Sequence, residues 1–134
     1  MNKALEPAGW APPVGYANGR ISAPGRIVFV AGQVGWDERQ RFRSTDIADQ
    51  FEQALRNIIA VLALAGGNAT HICRMTAYCT EKAEYLAARP RLGQAWRRAM
   101  GRHYPAMTMV FVSALLDEGA KIELEATAVV PEAA

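Results

Sequence analysis

Apolar residues return every third or fourth position from Ile47 to Ala65. Ile47, Phe51, Ala54, Leu55, Ile58, Val61, Leu62 and Ala65 share one face, a period that predicts an amphipathic helix with its stripe in a core. Ser44 or Thr45 stands where a cap belongs, and Asp46 and Asp49 fall in the first turn, where the helix dipole favours them. Gly66-Gly67 supplies the stop. A second helical region is predicted over 81–100, after a Thr80 cap and before Gly101. Pro90 lacks an amide hydrogen and crowds the preceding turn, so a break is expected near Arg89.

The remaining periodic segments read as strands. Tyr16 to Ser22 and Arg26 to Gln33 flank the turn Ala23-Pro24-Gly25, which predicts a hairpin. The run Ile27-Val28-Phe29-Val30-Ala31 is continuously apolar, as in a strand covered on both faces. His71 to Thr80 alternates, with Cys73, Met75, Ala77 and Cys79 opposite Ile72, Arg74, Thr76 and Tyr78. Ala106 to Ser113 and Lys121 to Val130 close the chain. The resulting order, β-β-α-β-α-β-β, predicts an α+β layer sandwich with its helices on one sheet face. Residues 14–131 are expected to form a single domain, and the Pro/Gly-rich residues 1–13 an irregular arm. Val110, Val112, Ile122, Leu124, Ala126 and Ala128 supply one apolar face, and Met107, Met109 and Phe111 fall on the opposite parity. A sheet apolar on both sides is expected to be covered by further copies of the chain in a closed ring.

Composition changes this picture little. The 134 residues are 51% hydrophobic and 21% charged, the balance of a soluble globular domain rather than a disordered chain. A net charge of +2 argues against nucleic acid as an obligate partner, and Arg39, Arg41 and Arg43 read as a solvated loop. No apolar leader or membrane-length run is visible, so a cytoplasmic location is expected. Cys73 and Cys79 lie six residues apart on one strand, roughly 20 Å, too far for a disulfide. His71 and His103 complete no metal-ligand spacing. No metal or cofactor is expected.

The candidate chemistry lies in the last two strands. Glu123 could direct a water as general acid/base, or pair with Lys121 on the same strand face. Glu125 shares that face and reads as structural. His103 could titrate near neutrality, although a loop histidine is more often structural. Met107, Met109, Phe111 and Trp36 could line an apolar pocket or simply pack at a subunit contact.

Five segments, in order and spacing, resemble the RidA/YjgF family of imine/enamine deaminases, also labelled endoribonuclease L-PSP-like. They are Tyr16, Val30-Ala31-Gly32-Gln33, Gln50 with Leu55-x-Asn57-Ile58, Pro105-Ala106, and Ile122-Glu123-Leu124-Glu125-Ala126. The resemblance runs from about Tyr16 to Val130. It implies a chorismate-mutase-like fold, a homotrimer around a central β-barrel, and small-molecule clefts between subunits. It implies Glu123 as the catalytic residue, with Tyr16 and the Gly32 backbone shaping the pocket. Where active members of the family carry an arginine that grips the substrate carboxylate, this sequence has Met107. A thioether cannot replace a bidentate guanidinium. The loss should cost about 3 kcal/mol of carboxylate binding, which points to a different substrate. Arg89, where the family commonly has asparagine, is a candidate relocated anion clamp. Two alternatives stand beside cofactor-independent deamination. One is a non-catalytic ligand-binding or protein-interaction trimer. The other is the endoribonuclease or translation-inhibitor activity attached to some relatives, which the weak charge disfavours.

Overall fold

A computed structural model describes residues 2–132. Six strands, β1 (Lys3–Leu5), β2 (Gly19–Ile21), β3 (Arg26–Val34), β4 (Ile72–Cys79), β5 (Ala106–Phe111) and β6 (Ile122–Val130), are joined by helices α1 (Ile47–Ala63), α2 (Lys82–Ala87) and α3 (Arg89–Met100). Four strands form the main sheet in the order β3-β6-β4-β5. β6 runs antiparallel to both neighbours, and β4 and β5 are parallel. A parallel pair needs a crossover, which α2 and α3 provide. The expected α+β class, with helices on one face, holds.

The α1 stripe is buried except at Val61, which is 40% exposed, with Ile47, Ala54, Leu55, Ile58 and Leu62 wholly inaccessible. The cap is Asp46 rather than Ser44 or Thr45. Its extended backbone lets the side chain accept the Asp49 amide at 3.0 Å. Ser44 instead accepts the Asp46 amide and donates to Asp49. Two ion pairs tie α1 to α3: Arg91 forks both oxygens of Asp46 at 2.7 Å, and Arg98 reaches Glu52 at 2.7 Å. The break at Pro90 falls where proline requires it, with Ala88 separating α2 from α3 and the proline in the first turn of α3. Trp96 of α3 stacks on Tyr104, centroids 5.8 Å apart, and donates its indole N–H to the His103 carbonyl at 3.1 Å.

Gln50 is the polar hub of the core and 1% exposed. Its amide donates to the carbonyls of Ser44 and Gly119, and its oxygen accepts the Lys121 amide. One side chain thus joins the start of α1 to the loop that delivers β6. Gln50→Leu would leave two carbonyls and an amide without partners. It is expected to cost about 2–4 kcal/mol in urea unfolding; a loss below about 1 kcal/mol would show that water replaces the hub.

Three expectations on strand pairing need correction. The hairpin between Tyr16–Ser22 and Arg26–Gln33 does not form. β2 pairs antiparallel with β1, so the N-terminal arm is not wholly irregular. The reason lies in longer-range bonds: Ala17 donates to the Pro105 carbonyl at 3.0 Å, and Arg20 Nε to the Tyr104 carbonyl at 2.8 Å. These hold residues 17–20 beside β5, at the far side of the sheet from β3. Second, a register shift between Ile72 and Arg74 turns Ile72 into the core with Met75, Ala77 and Cys79, so Cys73 does not share their face.

Third, the face assignment of β5 is reversed. Met107 and Met109 oppose the fully buried Met75 and Ala77 and pack on the core beneath the helices, together with Ile122, Leu124, Ala126 and Ala128. Val110 opposes Tyr78 on the open face. The alternation within β5 was readable, but only its register against β4 decides which side is which. The most exposed apolar groups on the open face come from β3, where Ile27 is 60% and Phe29 77% exposed.

Candidate functional site

Glu123 stands on the open face of β6, between β3 and β4, opposite Tyr78. Its carboxyl folds back over Gly32. A β-carbon at position 32 would lie 2.9 Å from the Glu123 carboxyl carbon and 3.1 Å from Oε2. Glycine is therefore what lets the acid lie against the β3 backbone. Lys121 does not pair with Glu123 as the same-face spacing suggested; its Nζ is drawn to Glu84 of α2 at 2.9 Å. Among the described residues no cation or hydrogen-bond donor meets the Glu123 carboxylate. Burial raises its pKa, and the negative charges of Asp117 and Glu125 raise it further. A half-buried carboxyl with elevated basicity and no partner can hold a water and accept its proton.

The other candidate residues lie elsewhere. Tyr16, 41% exposed, precedes Ala17, which bridges to Ala106 at the start of β5. Arg89 is exposed in the first turn of α3, and its charge reaches Tyr85, whose ring meets Phe111 edge-on at 5.7 Å. Met107 and Met109 turn toward the core from β5. Tyr16 thus lies near the start of β5, Met107 within it, and Arg89 toward the Phe111 end. Glu123 and Gly32 lie at the β6–β3 seam, two strands or about 10 Å across the sheet from β5. Trp36 is not beside the methionines: it packs on Phe42, centroids 5.6 Å apart, in the loop after β3. His103 is half-buried, with its pKa lowered chiefly by desolvation, and its Nε2 bonds the Ile72 carbonyl at 2.7 Å. It braces the chain before β5, and burial disfavours its charged form.

The loop from Asp37 to Arg43 is solvated as expected, with Arg39, Arg41 and Arg43 exposed, but it is also closed on itself by hydrogen bonds. Asp37 Oδ1 accepts the amides of Arg39 and Arg41, and Oδ2 the guanidinium of Arg43 at 2.8 Å. Gln40 adopts φ +60° at its tip. An aspartate followed by a polar run is the signal for such a side-chain-closed turn. The Arg43 guanidinium, then the Arg41 amide, hold the Asp37 carboxyl down at about 2. A depressed pKa stabilises the fold above the unfolded value of 3.8, and that contribution fades as pH falls through about 2. The advantage in melting temperature of the native chain over Asp37→Asn should therefore be full at pH 6 and vanish near pH 2. A constant advantage would contradict this assignment.

Among the described residues no group of three or more His, Cys, Asp or Glu could hold a metal ion, and no helix is long and apolar enough to cross a membrane. Residues 9–130 match the model of the endoribonuclease L-PSP family. The DfrA protein of Myxococcus xanthus is 31% identical over 106 residues, covering 78% of this chain and 77% of its own. The human 2-iminobutanoate/2-iminopropanoate deaminase is 26% identical over 105 residues, covering 78% and 73%. Among solved structures, the Rid-family protein YyfB of Yersinia pestis, itself of unknown function, superposes with a TM-score of 0.85 at 28% identity, covering 96% of this chain and 98% of its own. With a family match across nearly its whole length and a shared fold, the chain belongs to the RidA/YjgF (endoribonuclease L-PSP) family.

Proposed function

We propose that the chain is a cofactor-independent imine or enamine deaminase acting in clefts between the subunits of a homotrimer. Its substrate would not be the 2-imino acid type, because Met107 replaces the arginine that would bind a carboxylate. The observation that carries this reading is the Glu123 carboxyl, laid over Gly32 with raised basicity and no cation beside it. Glu123 takes a proton from water as the oxygen attacks the electrophilic carbon of C=N, the π electrons pass to nitrogen, and Glu123 returns the proton to that nitrogen to give a carbinolamine. Glu123 then takes the hydroxyl proton and passes it to the nitrogen as the C–N bond breaks, which expels ammonia, leaves a carbonyl compound and restores the carboxylate. The C=N carbon is already electrophilic, so no cofactor is required.

Tyr16 and Arg89, with the partly exposed flanks of the core-facing Met107 and Met109, are proposed to contribute the opposite wall. Within one chain they lie at the β5 edge, away from Glu123, so a neighbouring copy must bring that edge to the acid. This separation, together with the exposed Ile27 and Phe29 on the open face, supports assembly. The test is ammonia release from freshly generated imines with and without a carboxylate. Turnover is expected for carboxylate-free imines, at least about tenfold faster than for 2-iminopropanoate, given one lost charge-assisted anchor. Preference for 2-iminopropanoate, or no release above the uncatalysed rate from either class, would contradict the proposal.

A further inference from the structure

Residues 6–18 form one loop between β1 and β2. It is closed at its base, where Leu5 pairs with Gly19 and the Glu6 carboxylate accepts the Asn18 amide at 3.0 Å. Tyr16 stands at the root of this loop, one residue before the bridge from Ala17 to Ala106. β1 and β2 are only three residues each, and a two-stranded ribbon of that length is marginal by itself. The anchor is Arg20, half-buried on β2. Its Nε donates to the Tyr104 carbonyl at 2.8 Å, and its Nη1 to the backbone and side-chain oxygens of Asn2, each at 3.3 Å. Asn2 Nδ2 donates in turn to the carbonyls of Thr70 and Ile72, at 3.1 and 3.2 Å. The Ile72 carbonyl also bonds His103 Nε2. One guanidinium thus joins β1, β2, the start of β4 and the turn that delivers β5. Its charge strengthens each bond, and its planar fork holds two directions at once.

We infer that Arg20 is a positioning residue for the proposed cleft: clasped between Asn2 and Tyr104, it sets where Tyr16 stands against β5. The inference rests on the reading of Tyr16 as part of the substrate-binding wall. Tyr104 lies three residues before Met107, so the bond that fixes β2 is made beside that same wall. Releasing Arg20 frees β2 from Tyr104 and leaves Ala17 held by its single amide bond to the Pro105 carbonyl. Residues 6–18 then move as a loop without an anchor. Substrate binding has to order Tyr16 again, a cost that falls on affinity and not on the water step at Glu123.

Hydrogen exchange and steady-state kinetics of the full chain and its variants test this. Amides of residues 17–20 should exchange at least about tenfold faster in Arg20→Met, since charge-assisted bonds are lost. Arg20→Lys, which keeps the charge but not the fork, should fall between that variant and the native chain. Asn2→Ala removes one end of the clasp and should speed exchange about threefold, which keeps the test open should Arg20→Met fail to fold. In Arg20→Met the KM for a carboxylate-free imine should rise about tenfold, with kcat within about threefold of native. Placed in a Tyr16→Ala background, the same substitution should raise KM less than about twofold, because its effect passes through Tyr16. Equal exchange in the native chain and Arg20→Met would overturn the inference. So would KM losses that multiply in the double variant, which would make Arg20 a structural residue without a link to Tyr16. A native chain that releases no ammonia would count against the hydrolysis alone, and the exchange rates would then decide for or against the clasp.

Discussion

Glu123→Gln is expected to reduce imine hydrolysis by about 10²–10⁴-fold, the usual contribution of a positioned general base. The amide keeps the shape that fits over Gly32 but cannot accept a proton from water. The loss should appear in kcat rather than KM, because the group acts on the water rather than on bound substrate. The same variant is expected to be more stable than the native chain at neutral pH. Burial and the charges of Asp117 and Glu125 raise the Glu123 pKa above 4.5, so the fold disfavours the ionised carboxylate. A raised pKa gives a contribution that is present below the unfolded value and lost as pH rises through the folded one. Glu123→Gln should therefore melt above the native protein at pH 7, and the gap should close by about pH 4. Activity lost together with stability would identify Glu123 as a structural residue. Activity lost with stability gained is the signature of a site that trades one for the other.

Gly35→Ala is expected to cost about 3 kcal/mol or more and to lower the melting temperature sharply. A β-carbon there would lie 2.5 Å from the Gln50 Cα and 2.6 Å from its Cβ, and against its carbonyl oxygen. These are backbone and near-backbone atoms of α1, which cannot rotate aside, so the helix would have to move off β3. That shift would also misplace the Gln50 side chain and its bonds to Ser44, Gly119 and Lys121. Overpacking alone costs about 1–3 kcal/mol, and the disturbed hub adds to it. Denaturant unfolding measures the loss. A change below about 0.5 kcal/mol would show that α1 and β3 are not in contact at this point.

The elements that local chemistry decides were readable along the chain. The 3–4 period of α1, the interruption at Pro90 and the alternation of β6 each follow from residues close in sequence. What required the fold was any choice made by distant partners. Tyr16–Ser22 carries a fair strand pattern next to a turn, yet the carbonyls of Tyr104 and Pro105 draw it to β5 and away from β3. The residues of β5 alternate as expected, but Met107 and Met109 face the core because their register places them beside Met75 and Ala77. Cys73 left its expected face through one register shift, invisible to a period-two count. Lys121 was an available neighbour for Glu123 until α2 offered Glu84. The strand pattern left Glu123 open between a general acid/base and a partner of Lys121, and the resemblance favoured the first. That nothing among the described residues neutralises Glu123 became visible with the geometry.

The account rests on the separation, within one chain, of Glu123 from the β5 edge, and on a second copy bridging it. Multi-angle light scattering at micromolar concentration measures this most directly. The expected particle contains three copies of the 14.6 kDa chain. A single 14.6 kDa species that nevertheless releases ammonia from imines would contradict the account.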